Sequence, residues 1–200
     1  KKSIFLAALV LISAGCFAQK ANVSKARSLA DAETPDYAGA RAAIAEALQN
    51  DETKDQPNTW YVAGFIGYKE FYNGNMKQQL GQQFDKKAWG DAVYESLNYW
   101  TKAYDMAKIP TIDKKGREKF DTRTPKSIVP KVVEYFNSIP LIIAGFDAYQ
   151  AGDPSKAYDM FIAHCNIPEL DMMKENPSEM AKIVCDSNYY IYLYQSGQLA

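Results

Sequence analysis

Histidine occurs once in this 200-residue chain, as His164, and cysteine three times, as Cys16, Cys165 and Cys185. A zinc site takes three or four imidazole, thiolate or carboxylate ligands, so a lone histidine beside scattered cysteines points away from a resident metal. No cofactor is expected either. The pair His164-Cys165 also fails as a base and nucleophile, because adjacent residues on a helix point about 100° apart and no oxyanion-hole motif accompanies it. Ordinary helix packing is the reading of both. Missing as well are a Gly-rich phosphate loop, HExxH, GxSxG and CxxC. The carboxylates are scattered, and Asp91 with Glu95 has the spacing of a solvated helix face, so no catalytic residue is assigned and no enzyme is expected. Positive charge is not in surplus: 23 Lys and Arg against 24 Asp and Glu leave a net charge of −1. Nucleic-acid affinity rests mainly on clustered cations, so nucleic acid is not expected as a partner. No apolar run reaches the ~20 residues of a membrane-spanning helix.

What is present begins with an export pattern. Two lysines, an apolar run from Ile4 to Ile12 and small residues before Gln19 follow the order of a secretory signal peptide. Residues 1–18 are expected to be removed, leaving 19–200 as one helical repeat domain in the periplasm. The ending Phe17-Ala18-Gln19 resembles exported proteins of the Bacteroidetes. Ser13-Ala14-Gly15-Cys16 resembles a lipobox with serine where leucine is preferred, which keeps a second reading open: a lipoprotein anchored through Cys16.

Beyond the leader, 14 Tyr, 9 Phe and 3 Trp fall mostly on segments whose apolar residues recur at intervals of three and four, and an all-α protein is predicted. Helices are expected over about 21–32, from Asp36 to 50, from Asn58 to 71, over 86–108, 128–151 and 154–165, and from Pro177 onward through Ile183, Val184, Tyr189, Tyr190 and Leu193. Asn73-Gly74-Asn75 reads as a stop, and Ser138-Ile139-Pro140 as a kink or restart. Residues 110–125, with Asp113-Lys114-Lys115-Gly116-Arg117, read as a solvated loop.

One segment carries a longer pattern: Leu141-x-x-Ala144-Gly145-x-x-Ala148-Tyr149, a turn at Gly152-Asp153, then Ala157-x-x-x-Phe161. Its first half recurs as Trp60-x-x-Ala63-Gly64-x-x-Gly67-Tyr68, and second halves recur as Ala40-x-x-x-Ile44-x-x-Ala47 and Ser96-x-x-x-Trp100-x-x-Ala103. This resembles the tetratricopeptide repeat. The resemblance implies an α-α superhelix of TPR-like hairpins, here with long insertions between helices. Gly197 lies seven residues past Tyr190, as Gly152 lies seven past Gly145, so a further helix beyond Ala200 is expected.

Stacked hairpins of this kind bind partners on a concave wall lined by the first helix of each. Carried over to matching positions, that wall comprises Asn58, Tyr61, Phe65, Tyr68 and Lys69, then Ile142, Phe146, Tyr149 and Gln150, then Ile191, Tyr194 and Gln195. A non-catalytic exported scaffold that binds a protein or peptide is the function implied. Two others stay open: a glycan-binding surface lipoprotein similar to the SusD-like proteins, and the docking module of a longer envelope enzyme. Cys165 and Cys185 fall on helices expected to pack together. A disulfide closing a loop of roughly 20 residues would contribute about 3 kcal/mol; two apolar thiols are the other reading.

Overall fold

A computed structural model describes residues 20–113 and 115–199. The expected signal peptide, Cys16 of the lipobox-like stretch and the helix expected past Ala200 therefore lie outside the described residues. Ten α-helices run through the described chain: α1 (20–30), α2 (Tyr37–Gln49), α3 (Pro57–Gln79), α4 (Lys86–Ala107), α5 (Arg123–Ser138), α6 (Pro140–Gln150), α7 (Pro154–Asn166), the one-turn α8 (Asp171–Lys174) and α9 (Pro177–Met180), and α10 (Ser187–Leu199). The all-α expectation holds apart from a two-rung hairpin, β1 (Thr111–Ile112) with β2 (Glu118–Lys119), pairing Thr111 with Lys119 and Ile112 with Glu118. That hairpin occupies the expected basic loop. Its turn is self-contained: the Asp113 carboxylate accepts from the backbone N–H groups of Lys115 and Arg117 and from the Arg117 guanidinium.

Local chemistry sets the helix starts. Asp36, Asp85 and Asp153 each accept a backbone N–H three residues on, from Gly39 (2.8 Å), Ala88 (3.0 Å) and Lys156 (3.0 Å), which satisfies a donor that would otherwise have no partner. Helix α3 starts at Pro57 rather than at an Asn58 cap, with no side-chain cap of its own. Between α5 and α6 the chain restarts at Pro140, the axes bend by 52°, and Ile139 takes the left-handed conformation at φ 48°. For a β-branched residue that conformation is strained by about 1–2 kcal/mol. The bend aims α6 back along α4 and α7, where Leu141, Ile142 and Ala144 are buried.

Two expected boundaries need correction. Helix α3 continues through Asn73-Gly74-Asn75 to Gln79 because all three residues make tertiary contacts: Asn73 Nδ2 donates to Tyr37 Oη (3.1 Å), a Cβ on Gly74 would collide with the Trp89 ring, and Asn75 Oδ1 accepts from Trp89 Nε1 (2.9 Å). At the other end, Pro177 opens only one turn. Ile183 and Val184 lie in the connection to α10, and Asp186 caps α10 by accepting from the N–H groups of Asn188 and Tyr189. Gly197 sits inside α10 and not at a turn.

The long helices pack in pairs, most extensively α3 on α4 and α6 on α7, with α2 on α3, α4 on α6 and α10 on α7 joining the pairs. The seams of the two main pairs match. A Cβ on Gly64 would run into the Trp100 indole, and a Cβ on Gly145 would lie 2.5 Å from Phe161 Cε1; both are small-residue positions facing an aromatic from the paired helix. Helix α5 is laid across α3 and α4, where Tyr135 completes a buried aromatic group. Its ring lies 5.2 Å from Phe71 edge-on and 5.9 Å from Trp100 in a stack, and its hydroxyl donates to Ser96 Oγ (3.0 Å). Truncating Trp100 there would cost about 3–5 kcal/mol. A second, alanine-rich core forms between α1, α2 and α3 around Ala26, Ala40, Ile44 and Ile66. No single helix among the described residues is long and apolar enough to cross a membrane.

Candidate functional site

The expected concave wall divides in two. On α3, Asn58 is exposed, but Phe65 is buried with the Arg27 guanidinium 5.3 Å from its ring, and Tyr61 is half-buried against both main cores. The Tyr68 ring lies tilted against Trp100 (5.5 Å) and Tyr135 (6.4 Å), with Lys131 over it. Burial pushes its phenol above the ordinary range, and the nearby Glu134 carboxylate adds to this. Lys69 pairs with Asp31 (2.7 Å), while its backbone carbonyl accepts from Tyr37 Oη (3.1 Å). Apart from exposed Asn58, these α3 residues are engaged in packing, because α1 covers Phe65 and α5 covers Tyr68.

Helix α6 differs. Ile142 is buried with Ala157 and Phe161, but Phe146 and Tyr149 are exposed and join Phe161, Gln195, Gln198 and Leu199 around an open cleft of about 250 Å³. Phe146 stands edge-on to Phe161 at 5.1 Å. Gln195 turns inward from α10, its Oε1 buried without a hydrogen bond. Gln150 is exposed beside the cleft, and Ile191 and Tyr194, half and two-thirds exposed, lie on α10 outside it. Three of the expected residues thus meet at one cleft. Phe161 was legible only as a core position of the pattern, and Gln198 and Leu199 carried no signal.

A larger cavity of about 430 Å³ opens where the start of α4 meets the end of α6 and the start of α7. Gly90, Ala144, Ala148, Ala151 and Met160 form its floor; Lys86, Lys87, Asp147, Asp153 and Lys156 surround it. The floor is tight, since a Cβ on Gly90 would lie 2.7 Å from that of Ala144. Beside it Asp91 pairs with Lys87 (3.0 Å) and with Lys156. Partial burial favours the protonated acid there, yet the two ammonium groups prevail and hold Asp91 below the usual carboxylate range. Glu95, read with Asp91 as a solvated face, instead accepts from Arg41 of α2 (2.5 Å), which also pairs with Glu70 of α3 (2.7 Å). The sequence reading fails there because each carboxylate meets a cation from another helix.

His164 is 1% exposed and lies flat on Phe136 (centroids 4.6 Å, planes 9° apart), with the edge of Tyr192 at 6.1 Å. Burial pushes its pKa down to about 4, so the imidazole is neutral near pH 7. Its Nδ1 makes no hydrogen bond within the protein. Cys165 and Cys185 are both free thiols, the first buried, the second half-buried. Burial pushes the Cys165 thiol up to about 11, with Cys185 adding to the effect. Among the described residues no group of three or more His, Cys, Asp or Glu is placed to hold a metal ion. Neither a protein-family model nor a curated protein nor a solved structure matches this chain.

Proposed function

We propose that this chain is a non-catalytic helical-repeat scaffold, exported to the cell envelope, whose α6–α10 cleft binds a peptide segment of a protein partner. The observation that carries this reading is the meeting of Phe146 and Tyr149 from α6 with Gln195 from α10 over Phe161. Aromatic side chains beside a polar amide suit an apolar peptide side chain with its backbone polar groups. The matched seams at Gly64–Trp100 and Gly145–Phe161 support a repeat of tetratricopeptide type. In such a stack α3, α6 and α10 would be the first helices of successive hairpins, and a cleft between two of them is where such repeats bind. The export pattern in residues 1–18 supports a periplasmic location, with anchoring through Cys16 the variant of it.

A photo-reactive amino acid in place of Tyr149 or Tyr194 tests the site. Cross-linking in intact cells is expected to trap one partner from position 149, more weakly from 194, and none from a control at exposed Lys77 on α3. Tyr149→Glu is expected to keep the helix content and lose the partner. Equal trapping from Lys77, or a partner retained by Tyr149→Glu, would refute the cleft.

A further inference from the structure

A cavity of about 320 Å³, separate from the peptide cleft, lies between the end of α5, the last turn of α7 and the start of α10. We propose that it binds an alkylammonium group. Phe136, His164, Tyr189 and Tyr192 contribute four rings to its lining, Asp186 is its charged residue, and no lysine or arginine lines it. The nearest basic residue in sequence, Lys182, is turned to Glu179 (2.6 Å) and contributes only its backbone carbonyl, which accepts from Asn137 Nδ2 (3.2 Å).

The hydrogen-bonding groups around the cavity are mostly already donating. Tyr189 gives its hydroxyl proton to the Cys165 carbonyl (3.0 Å), Asn137 one amide proton to Lys182, and Asn188 one to Asp186 (3.2 Å). The side-chain carbonyls of Asn137 and Asn188 and the Asp186 carboxylate offer acceptors to an entering group, and the Nδ1 of His164 is buried without a hydrogen bond. Aromatic faces with one carboxylate and no competing cation select a positive donor over a neutral or anionic one. His164 is neutral near pH 7, so its ring does not repel a cation. The same group could arrive as a free amine or as a lysine side chain of a protein, and the two share this chemistry.

His164 is the single histidine of the chain, so its imidazole nitrogens give one unambiguous pair of resonances. Butylammonium titrated into the full chain at pH 7 is expected to shift them saturably, with 1-butanol and butyrate shifting them at least tenfold less. Asp186→Asn keeps a good helix cap and is expected to weaken butylammonium binding about tenfold at unchanged helicity. Capped lysine binding as tightly as putrescine would indicate a protein source, and putrescine alone a free amine. No saturable shift with butylammonium, an equal shift with 1-butanol, or undiminished binding by Asp186→Asn would each overturn the proposal.

Discussion

Replacing Gly145 with alanine tests whether the small-residue seam is a contact that only glycine permits. The added methyl would lie 2.5 Å from Phe161 Cε1 and 2.6 Å from Cδ1, against an ordinary carbon–carbon contact of about 3.5–4.0 Å, so the ring must give by about 1 Å. It has little room, being 3% exposed and braced edge-on by Phe146. Overpacking of this kind costs about 1–3 kcal/mol, and alanine returns about 1 kcal/mol through helix propensity. The expected outcome in urea unfolding followed by circular dichroism is a net loss of about 1 kcal/mol. Phe161→Leu frees space in front of the methyl, so Gly145→Ala/Phe161→Leu should be more stable than the sum of the single changes by about 1 kcal/mol. Gly152→Ala is the control: nothing lies within 4 Å of its added methyl, but φ is +82°, so it should lose stability to backbone strain with no coupling to Phe161. A Gly145→Ala protein more stable than wild type, or a double mutant additive within about 0.5 kcal/mol, would refute the seam.

The buried histidine predicts an acid-sensitive stability. Its folded pKa of about 4 lies below the ordinary 6.5, so the unfolded chain takes up its proton first. Stability is full above pH 6.5 and falls as pH drops toward 4, by roughly 3 kcal/mol in all. His164→Phe should flatten that stretch of the stability–pH curve, and an unchanged slope would contradict the assignment. Mapping of thiol labelling is expected to find Cys185 modified in the native protein and Cys165 only on unfolding, because burial raises the Cys165 thiol to about 11; equal rates would refute its burial. Arg41 holds two carboxylates from two helices. Arg41→Leu should cost about 1–3 kcal/mol after discounting for its partial exposure, and Arg41→Lys should restore only part of it for want of the two-pronged fork. Full rescue by lysine in urea melts would show that charge alone matters.

Helix positions were legible where the signal was local. The aspartates at 36, 85 and 153 bond within three residues of themselves, and proline at 140 takes the first position of the restarted helix, where its missing N–H costs nothing. Asn73-Gly74-Asn75 misled because the same residues that break an isolated helix can be recruited by distant side chains. Here Tyr37, 36 residues away, and Trp89, 14 residues away, supply the partners. Likewise the helix-period apolar residues between Pro177 and Leu193 are divided between a connection and α10, because Ile183 is buried in the core cluster that holds Met173 while Asp186 caps a new start.

Tyr68 and Tyr149 show why the site was only half readable. They hold equivalent positions, four residues after the seam glycines Gly64 and Gly145, yet Tyr68 lies between Trp100 and Tyr135 while Tyr149 is 56% exposed. Nothing in the flanking residues distinguishes them. The difference comes from the chain between α4 and α6, where α5 folds back over the first pair and its Tyr135 and Lys131 close on Tyr68. No comparable helix among the described residues crosses the second pair; α10 packs along α7 and leaves the face of α6 at Phe146 and Tyr149 open. Whether such an aromatic position is packed or exposed is therefore decided here by the helix laid between the two pairs. Substitutions should divide accordingly: Tyr68→Ala, in the packed copy, is expected to destabilise the fold by about 2 kcal/mol or more, and Tyr149→Ala, in the open copy, by less than about 0.5 kcal/mol. Equal losses at the two positions in urea unfolding would show that the insertion does not make the difference.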